Sequence, residues 1–390
     1  METMETEEER QARRRRRLER MRREKRRAEL ISRWVPVGGL AFLAVCIVCI
    51  AAAVRGNVHR QGHVHARGEK TVFSSEEILP SQVLAKGEKD RGVTTLEFGD
   101  DLSGGNKALF AAHTSLATKE FDEEIVSNYG IFIDAEEGEI LAQRNAYERM
   151  NPASMTKILT LLVAAEHIGE EQFSDTVTIT VDITDYCYIN ECSIAGYNLY
   201  DTATVIDLFY GTVLPSGADA ALALAKYVAG SHEAFVELMN EKLEELGLSE
   251  TTHFTNCVGL YAEDHYSTAY DMAMILKAAS DNEFCREVLS AHTYTTSPTM
   301  KNPEGLLLSN WFLRRIEDRD IYGEVLCGKT GYVKESGHCA ASLGVDRYGR
   351  EYLCVTASSK GNQQCITDQV ILYQSLLPEP KDTVAAAQNR

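Results

Sequence analysis

Three short stretches place hydroxyl and amine side chains where they could act on a carbonyl group: "SMTK" at 154–157, "SGA" at 216–218 and "KTG" at 329–331. After Pro152, the apolar residues Ile158, Leu159, Leu162, Val163 and Ala165 recur at helical spacing, which predicts a buried helix starting near Ser154. On such a helix Ser154 and Lys157 share a face. A serine hydroxyl is a weak nucleophile and needs an adjacent base. A lysine serves when desolvation and a second cation lower its pKa, and Lys329 is the candidate second cation. Ser216 lies in "LPSGADAA", between two helical patterns, where it could relay a proton from Lys157 to a leaving amine. Lys329, in a strand pattern with Thr330, is alternatively the receptor of a substrate carboxylate. Gly331 would let a substrate backbone approach that strand. The backbone N–H groups of Ser154 and Tyr332 are candidates for stabilising an oxyanion.

Each residue also has an ordinary reading: Ser154 and Ser216 as helix caps, Lys157 as a snorkelling lysine, Lys329 as a solvated edge charge. At average residue usage Ser-x-x-Lys recurs by chance about once or twice in a chain of this size. The order and placement of the three stretches together carry the argument for chemistry.

The elements that would position them are legible. "YGIFIDAEEGEILAQ", residues 129–143, reads as a hairpin. The helix carrying Ser154 follows, then a short strand "VTITV" and a polar loop through residue 200. Residues 202–279 read as mostly helical, with stops at Gly230 and Gly247 and a capping box at Thr268 and Asp271. Strands return after residue 320 in "YGEVLCGKTGYV", "HCAASLGV" and "EYLCVTAS", and "ITDQVILYQSLL" closes the pattern as a helix. Strands at both ends with helices between predict an α+β fold: an antiparallel sheet flanked by helices with an inserted helical lobe. The cleft where sheet and lobe meet is the expected site.

Charge divides the chain. Residues 10–27 carry twelve Arg or Lys against two Glu, and the first 33 residues net +5, so the rest carries −23 of the total −18. An acidic body argues against nucleic acid as a partner. Residues 34–54, "WVPVGGLAFLAVCIVCIAAAV", are uncharged and long enough to cross a bilayer. The preceding arginines predict a cytoplasmic tail (1–33), a membrane anchor (34–54) and an extracytoplasmic remainder. A cleaved signal peptide is the alternative, though its apolar core is usually shorter. Residues 55–106 read as a stalk, 107–378 as the folded domain and 379–390 as a frayed tail.

Eight of the ten cysteines lie beyond the span. Cys327, Cys339 and Cys354 fall in apolar strand patterns and are expected to pack as small hydrophobes. Cys187 and Cys192 flank "CYINEC" and are the best-placed pair for a local bridge. His253, His265 and His338 lie near cysteines, but with no C-x-x-C pair outside the span and no H-E-x-x-H helix, no metal site is expected.

The set "SMTK", "SGA" and "KTG" resembles the signature of penicillin-binding proteins and serine β-lactamases. Within that superfamily the chain resembles serine-type D-alanyl-D-alanine carboxypeptidases (low-molecular-weight penicillin-binding proteins, peptidase family S11) over about residues 124–376, through "YGIFIDAEEGEILAQRNAYERMNPASMTKILT", "LPSGADAALALAKYVAGS", "HYSTAYDMA" and "GKTGYVKESGHCAASL". The resemblance implies Ser154 as nucleophile, Lys157 as base, Ser216 as proton relay, and Lys329 and Thr330 as receptors of a carboxylate. It further implies a peptidoglycan stem peptide ending in D-Ala-D-Ala as substrate, β-lactams as acylating inhibitors, a bacterial cell-membrane location, and no metal or organic cofactor.

The family's second motif usually reads Ser-x-Asn, its asparagine helping to hold the lysine and the substrate amide; in this chain that position is Ala218, with Asp219 as the candidate stand-in. Many relatives also carry a C-terminal β-domain and an anchoring helix, whereas in this chain the N-terminal span is the expected anchor. A class A β-lactamase is disfavoured because no Glu between Ser216 and Lys329 is followed by Asn four positions on. A transpeptidase or endopeptidase differs only in its acyl acceptor. A catalytically silent wall-binding protein is the reading from another class, with Ala218 as its mark.

Overall fold

Strands from both ends of the folded region meet in one sheet. The structure, a computed structural model, describes residues 109–379. The expected tail, anchor and stalk, and the C-terminal tail from residue 380, lie outside the described residues. Strands β1 (His113–Glu120), β2 (Tyr129–Asp134) and β3 (Glu139–Arg144) form one half of the sheet, and β8 (Gly323–Val333), β9 (Gly337–Asp346) and β10 (Glu351–Ser359) the other. The order is β1-β3-β2-β10-β9-β8, so β8 is an edge. All pairings are antiparallel except β1 with β3. The expected α+β class holds, with β1 as an added parallel edge that the sequence pattern did not mark. The residues of β1 from His113 to Ala117 are all exposed, so it lacks the alternation that marks a half-buried strand.

The sheet's two faces follow from a side-chain period of two. Ile131, Ile133, Leu353 and Val355 point into the core shared with the helices, whereas Phe132, Tyr352 and Cys354 point to the opposite face. At the centre of the shared core runs α1 (Lys157–His167), with every residue from Lys157 to Ala164 buried. Around it lie α2 (Val181–Ile189), α3 (Val205–Val213), α4 (Ala218–Ala229), α5 (His232–Glu245), α6 (Ala269–Asp281) and α7 (Glu283–Ser290), with α6 also packed on β2, β9 and β10. The short helix α8 (Leu313–Ile316) packs on β8, and α9 (Asn362–Leu376) covers the opposite face of the sheet. Two small hairpin-like sheets complete the lobe: β4 (Thr176–Thr178) with β5 (Thr202–Thr204), and β6 (Thr293–Thr295) with β7 (Leu307–Ser309).

Helix ends follow local chemistry. Gly230 adopts φ +78° to stop α4. Thr268 caps α6 through its hydroxyl, accepting from the Asp271 N–H at 3.0 Å. The Asp271 carboxylate does not return the bond as a capping box would; it accepts instead from the Thr252 hydroxyl at 2.6 Å.

Two expectations are corrected. The polar stretch before residue 200 contains α2, which buries only Ile183 and Cys187, too few apolar positions to register as a periodic stripe. The expected Cys187–Cys192 bridge is not present: both are thiols, as are the other six cysteines of the described residues. The two sulfurs interact as thiol partners, one accepting from the other. Cys327, Cys339 and Cys354 are buried in the sheet as expected.

Candidate active site

The turn that carries Ser154 is more tightly wound than expected. Ala153–Thr156 is a 3-10 turn and the α-helix begins only at Lys157. With three residues per 3-10 turn, positions i and i+3 eclipse, so Lys157 sits over Ser154. Its Nζ donates to Ser154 Oγ at 3.0 Å and to the Val258 carbonyl at 2.7 Å.

Strain and close packing fix this turn. Ala153 has φ +48°, in the left-handed region that a Cβ disfavours. Two glycines press on it from either side. A Cβ on Gly259, at φ +79°, would lie 1.9 Å from the Ala153 carbonyl oxygen, and one on Gly331 would lie 2.9 Å from the Pro152 oxygen and 3.0 Å from the Ser154 nitrogen. Gly331 was expected to admit a substrate backbone. Its missing side chain makes room for the Ser154 turn itself.

The second motif sits in the bend between α3 and α4. Ser216 has φ +61°, and Gly217, not Ser216, is the residue that precedes α4. Ser216 Oγ accepts from Lys329 Nζ at 2.9 Å, and the same ammonium donates to the Thr330 carbonyl at 2.8 Å. In an antiparallel strand the N–H groups of Thr330 and Tyr332, two positions apart, face the same edge. Tyr332's ring is exposed and stacks on His338 at 4.3 Å.

Both lysines are buried, each 2% exposed, which contradicts the readings of a snorkelling Lys157 and a solvated Lys329. Burial lowers the Lys157 pKa to about 8, partly opposed by the thiols of Cys192, Cys257 and Cys187 and by Asp219. Burial, then the Lys157 charge, holds Lys329 well below its ordinary value. The Lys157 charge thus acts on Lys329, whereas Lys157, expected to be lowered by Lys329 as second cation, owes its shift to burial; the two amines lie in the crevice where Ser154 and Ser216 bond to them.

Asp219 does not stand in for the missing asparagine. Its buried carboxylate accepts from the N–H groups of Ala195 at 2.7 Å, Gly196 at 3.1 Å and Tyr197 at 3.2 Å. Ala218 N–H in turn donates to the Ser193 carbonyl at 2.8 Å. These bonds staple the 193–197 loop to the Ser216 bend.

Sequence reasoning missed the wall opposite, residues 255–260. Its carbonyls bind α1: Val258 to Lys157, and Cys257 to the Thr160 hydroxyl at 2.7 Å. Behind it lies His265, whose pKa burial lowers to about 3, so the imidazole is neutral. Its Nδ1 accepts from Thr255 N–H at 3.1 Å, which leaves Nε2 as the donor to Thr156 Oγ1 at 3.0 Å; that hydroxyl donates to the Ala153 carbonyl at 2.8 Å. The sequence signal was "NCVGL", an Asn followed three residues later by a Gly, a turn pattern. No group of three or more His, Cys, Asp or Glu among the described residues is placed to hold a metal ion.

The sequence profile of the peptidase S11 family, the D-alanyl-D-alanine carboxypeptidases, matches residues 115–355. The chain belongs to this family. It is 31% identical over 255 residues to the D-alanyl-D-alanine carboxypeptidase DacF of Bacillus subtilis, covering 64% of this chain and 61% of that protein. It is 38% identical over 184 residues to DacC of Escherichia coli, covering 45% and 46% of the two chains. The chain thus spans about half to three fifths of the length of these curated relatives. The crystal structure of the Streptomyces K15 DD-transpeptidase matches the fold with a TM-score of 0.58 at 27% identity, over 65% of this chain and 98% of that one.

Proposed function

We propose that the protein is a serine-type D-Ala-D-Ala carboxypeptidase that removes the terminal D-alanine from peptidoglycan stem peptides through an acyl-enzyme on Ser154. The observation that carries this reading is the Lys157 amine, buried, lowered to about 8 and 3.0 Å from Ser154 Oγ. A neutral Lys157 takes the hydroxyl proton as Oγ attacks the carbonyl of the penultimate D-alanine. The N–H groups of Ser154 and Tyr332 receive the oxyanion. Ser216 passes the proton from Lys157 to the leaving amine, free D-alanine departs, and water hydrolyses the acyl-enzyme. Lys329 and Thr330 receive the terminal carboxylate, with Gly331 holding the nucleophile's turn.

The folded domain, residues 107–378, works outside the cell on a stalk of residues 55–106, held by residues 34–54 as a single-pass anchor with the basic tail in the cytoplasm. The support is the uncharged length of that segment and the arginines before it. β-Lactams acylate the same serine.

Product analysis on a pentapeptide ending in D-Ala-D-Ala tests the reaction. Release of free D-alanine is expected, and cross-linked product in the presence of an amine would assign a transpeptidase instead. Ser154→Ala abolishes labelling by a fluorescent penicillin while leaving the circular dichroism spectrum unchanged; persistent labelling would remove Ser154 as nucleophile.

A further inference from the structure

Position 218 leaves a gap in the chemistry. A lysine that accepts a proton from serine must be held so that its lone pair faces the hydroxyl, and the ammonium that forms needs an acceptor in a crevice with little water. In this chain Ala218 has no acceptor to offer, and Asp219 is committed to three loop N–H groups.

The acceptor present is a main-chain carbonyl. Val258 O lies 2.7 Å from Lys157 Nζ, and the Ser154 hydroxyl also approaches it, at 3.4 Å. A carbonyl on a loop is only as well placed as the loop. One side chain fixes this one: Asn256 Oδ1 accepts from Val258 N–H at 3.2 Å, Gly259 N–H at 2.7 Å and Leu260 N–H at 2.9 Å. Asn256 Nδ2 closes the turn on the Leu260 carbonyl at 3.0 Å. Pointing three N–H groups inward at one oxygen turns the Val258 carbonyl outward, toward Lys157. Asn256 is itself buried, at 6% exposure, so no water competes freely for these donors.

We infer that Asn256 is a positioning residue for the reaction: by gathering three N–H groups of its own loop it aims the Val258 carbonyl at Lys157, supplying from the loop the acceptor that Ala218 lacks. This rests on the proposed role of Lys157 as base. The charged and titratable groups facing that amine are Lys329 on β8, Asp219 on α4, Cys187 on α2, Cys192 beyond it, Cys257 within the loop and His265 behind it.

The pH dependence of acylation by a fluorescent penicillin, measured on the full chain in membranes, tests the inference. In Asn256→Ala the carbonyl loses its aim and the limiting rate falls by about 100-fold. The ammonium form loses its acceptor, so the acid limb of the profile moves to lower pH. If the loop served only to exclude water, its loosening would rehydrate the amine and move the limb to higher pH. An upward or absent shift, or an undiminished rate, therefore overturns the inference. Asn256→Asp keeps an oxygen for the three N–H groups and adds a negative charge that favours the ammonium. It retains most of the rate, with its limb moved to higher pH, and it carries the test should Asn256→Ala fail to fold. An Asn256→Asp limb at the wild-type position, or a loss as deep as that of Asn256→Ala, counts against the proposal. Failure of the wild-type chain to label would instead overturn the acyl-enzyme reading itself.

Discussion

Lys329 reaches Ser216 across 113 positions of sequence, Nζ to Oγ at 2.9 Å, while Lys157 is bonded to Ser154 and Val258. The crevice thus holds two hydroxyl–amine pairs, each completed by one carbonyl. In the resting geometry Ser216, the proposed relay, is paired with Lys329, the proposed carboxylate receptor, and under that proposal a substrate carboxylate arriving at Lys329 would release the Ser216 hydroxyl toward the leaving group.

The acylation rate is expected to rise with pH through the value near 8 that burial gives Lys157. Only the neutral amine can accept the serine proton, so below that value each pH unit removes about nine tenths of the active form. Stopped-flow acylation between pH 6 and 9 reads this directly. A flat profile would exclude Lys157 as the base.

Lys329→Ala should weaken substrates with a free C-terminal carboxylate by about 100-fold in kcat/KM, the loss of roughly 3 kcal/mol for a charge-assisted hydrogen bond. Esterified analogues should lose less, since they never made that bond. Equal losses for both would remove Lys329 from carboxylate recognition.

Gly259→Ala combines a left-handed backbone with a Cβ 1.9 Å from the Ala153 oxygen. It should cost about 2 kcal/mol or more, lower Tm by about 4–8 °C and abolish penicillin labelling by displacing the Ser154 turn. Gly349, at φ +88° with nothing within 4 Å, is the matched control. Gly349→Ala carries the backbone strain alone and should label normally. Full labelling of Gly259→Ala would show that the nucleophile's turn does not depend on this packing.

Lys157→Met should inactivate the protein and stabilise it. The folded-state value near 8 lies below the ordinary 10.5, so the unfolded chain binds more protons between those values and native stability rises with pH across that window. Below about pH 8 the full penalty of charging a buried amine is present, at most about 3 kcal/mol, partly offset by its bonds to Ser154 and Val258. Chemical denaturation at pH 7 and at pH 10 checks this: the advantage of the methionine variant should shrink at the higher pH. A variant less stable at both would show that the amine's hydrogen bonds outweigh its desolvation.

Much of this was legible in the sequence because side chains with distinctive spacing encode it. The two apolar runs about a Glu-Glu-Gly turn marked the hairpin, Gly230 and Gly247 marked helix ends, and the spacing of Ser154 and Lys157 marked a hydroxyl–amine pair that the structure brings to 3.0 Å. The rest was hidden for two physical reasons. Val258 acts through a carbonyl, a group every residue carries, so its identity says nothing about its role. Gly331 reads in sequence as an opening for a ligand, whereas only the fold shows that Pro152 and Ser154 already occupy that space.

Because β2 is bonded to β10, and β10 to β9 and β9 to β8, the ladder of the sheet joins β8 to the earlier strands only through β9 and β10, although β8 also packs directly on the Ala153–Thr156 turn. A nascent chain that has emerged as far as the "KTG" triplet already carries Ser154, Lys157, Ser216 and Lys329, yet it lacks β9 and β10, through which β8 joins the rest of the sheet. The sheet that seats Lys329 is therefore completed only by strands that follow it in sequence, whereas Ser154 and Lys157 precede it.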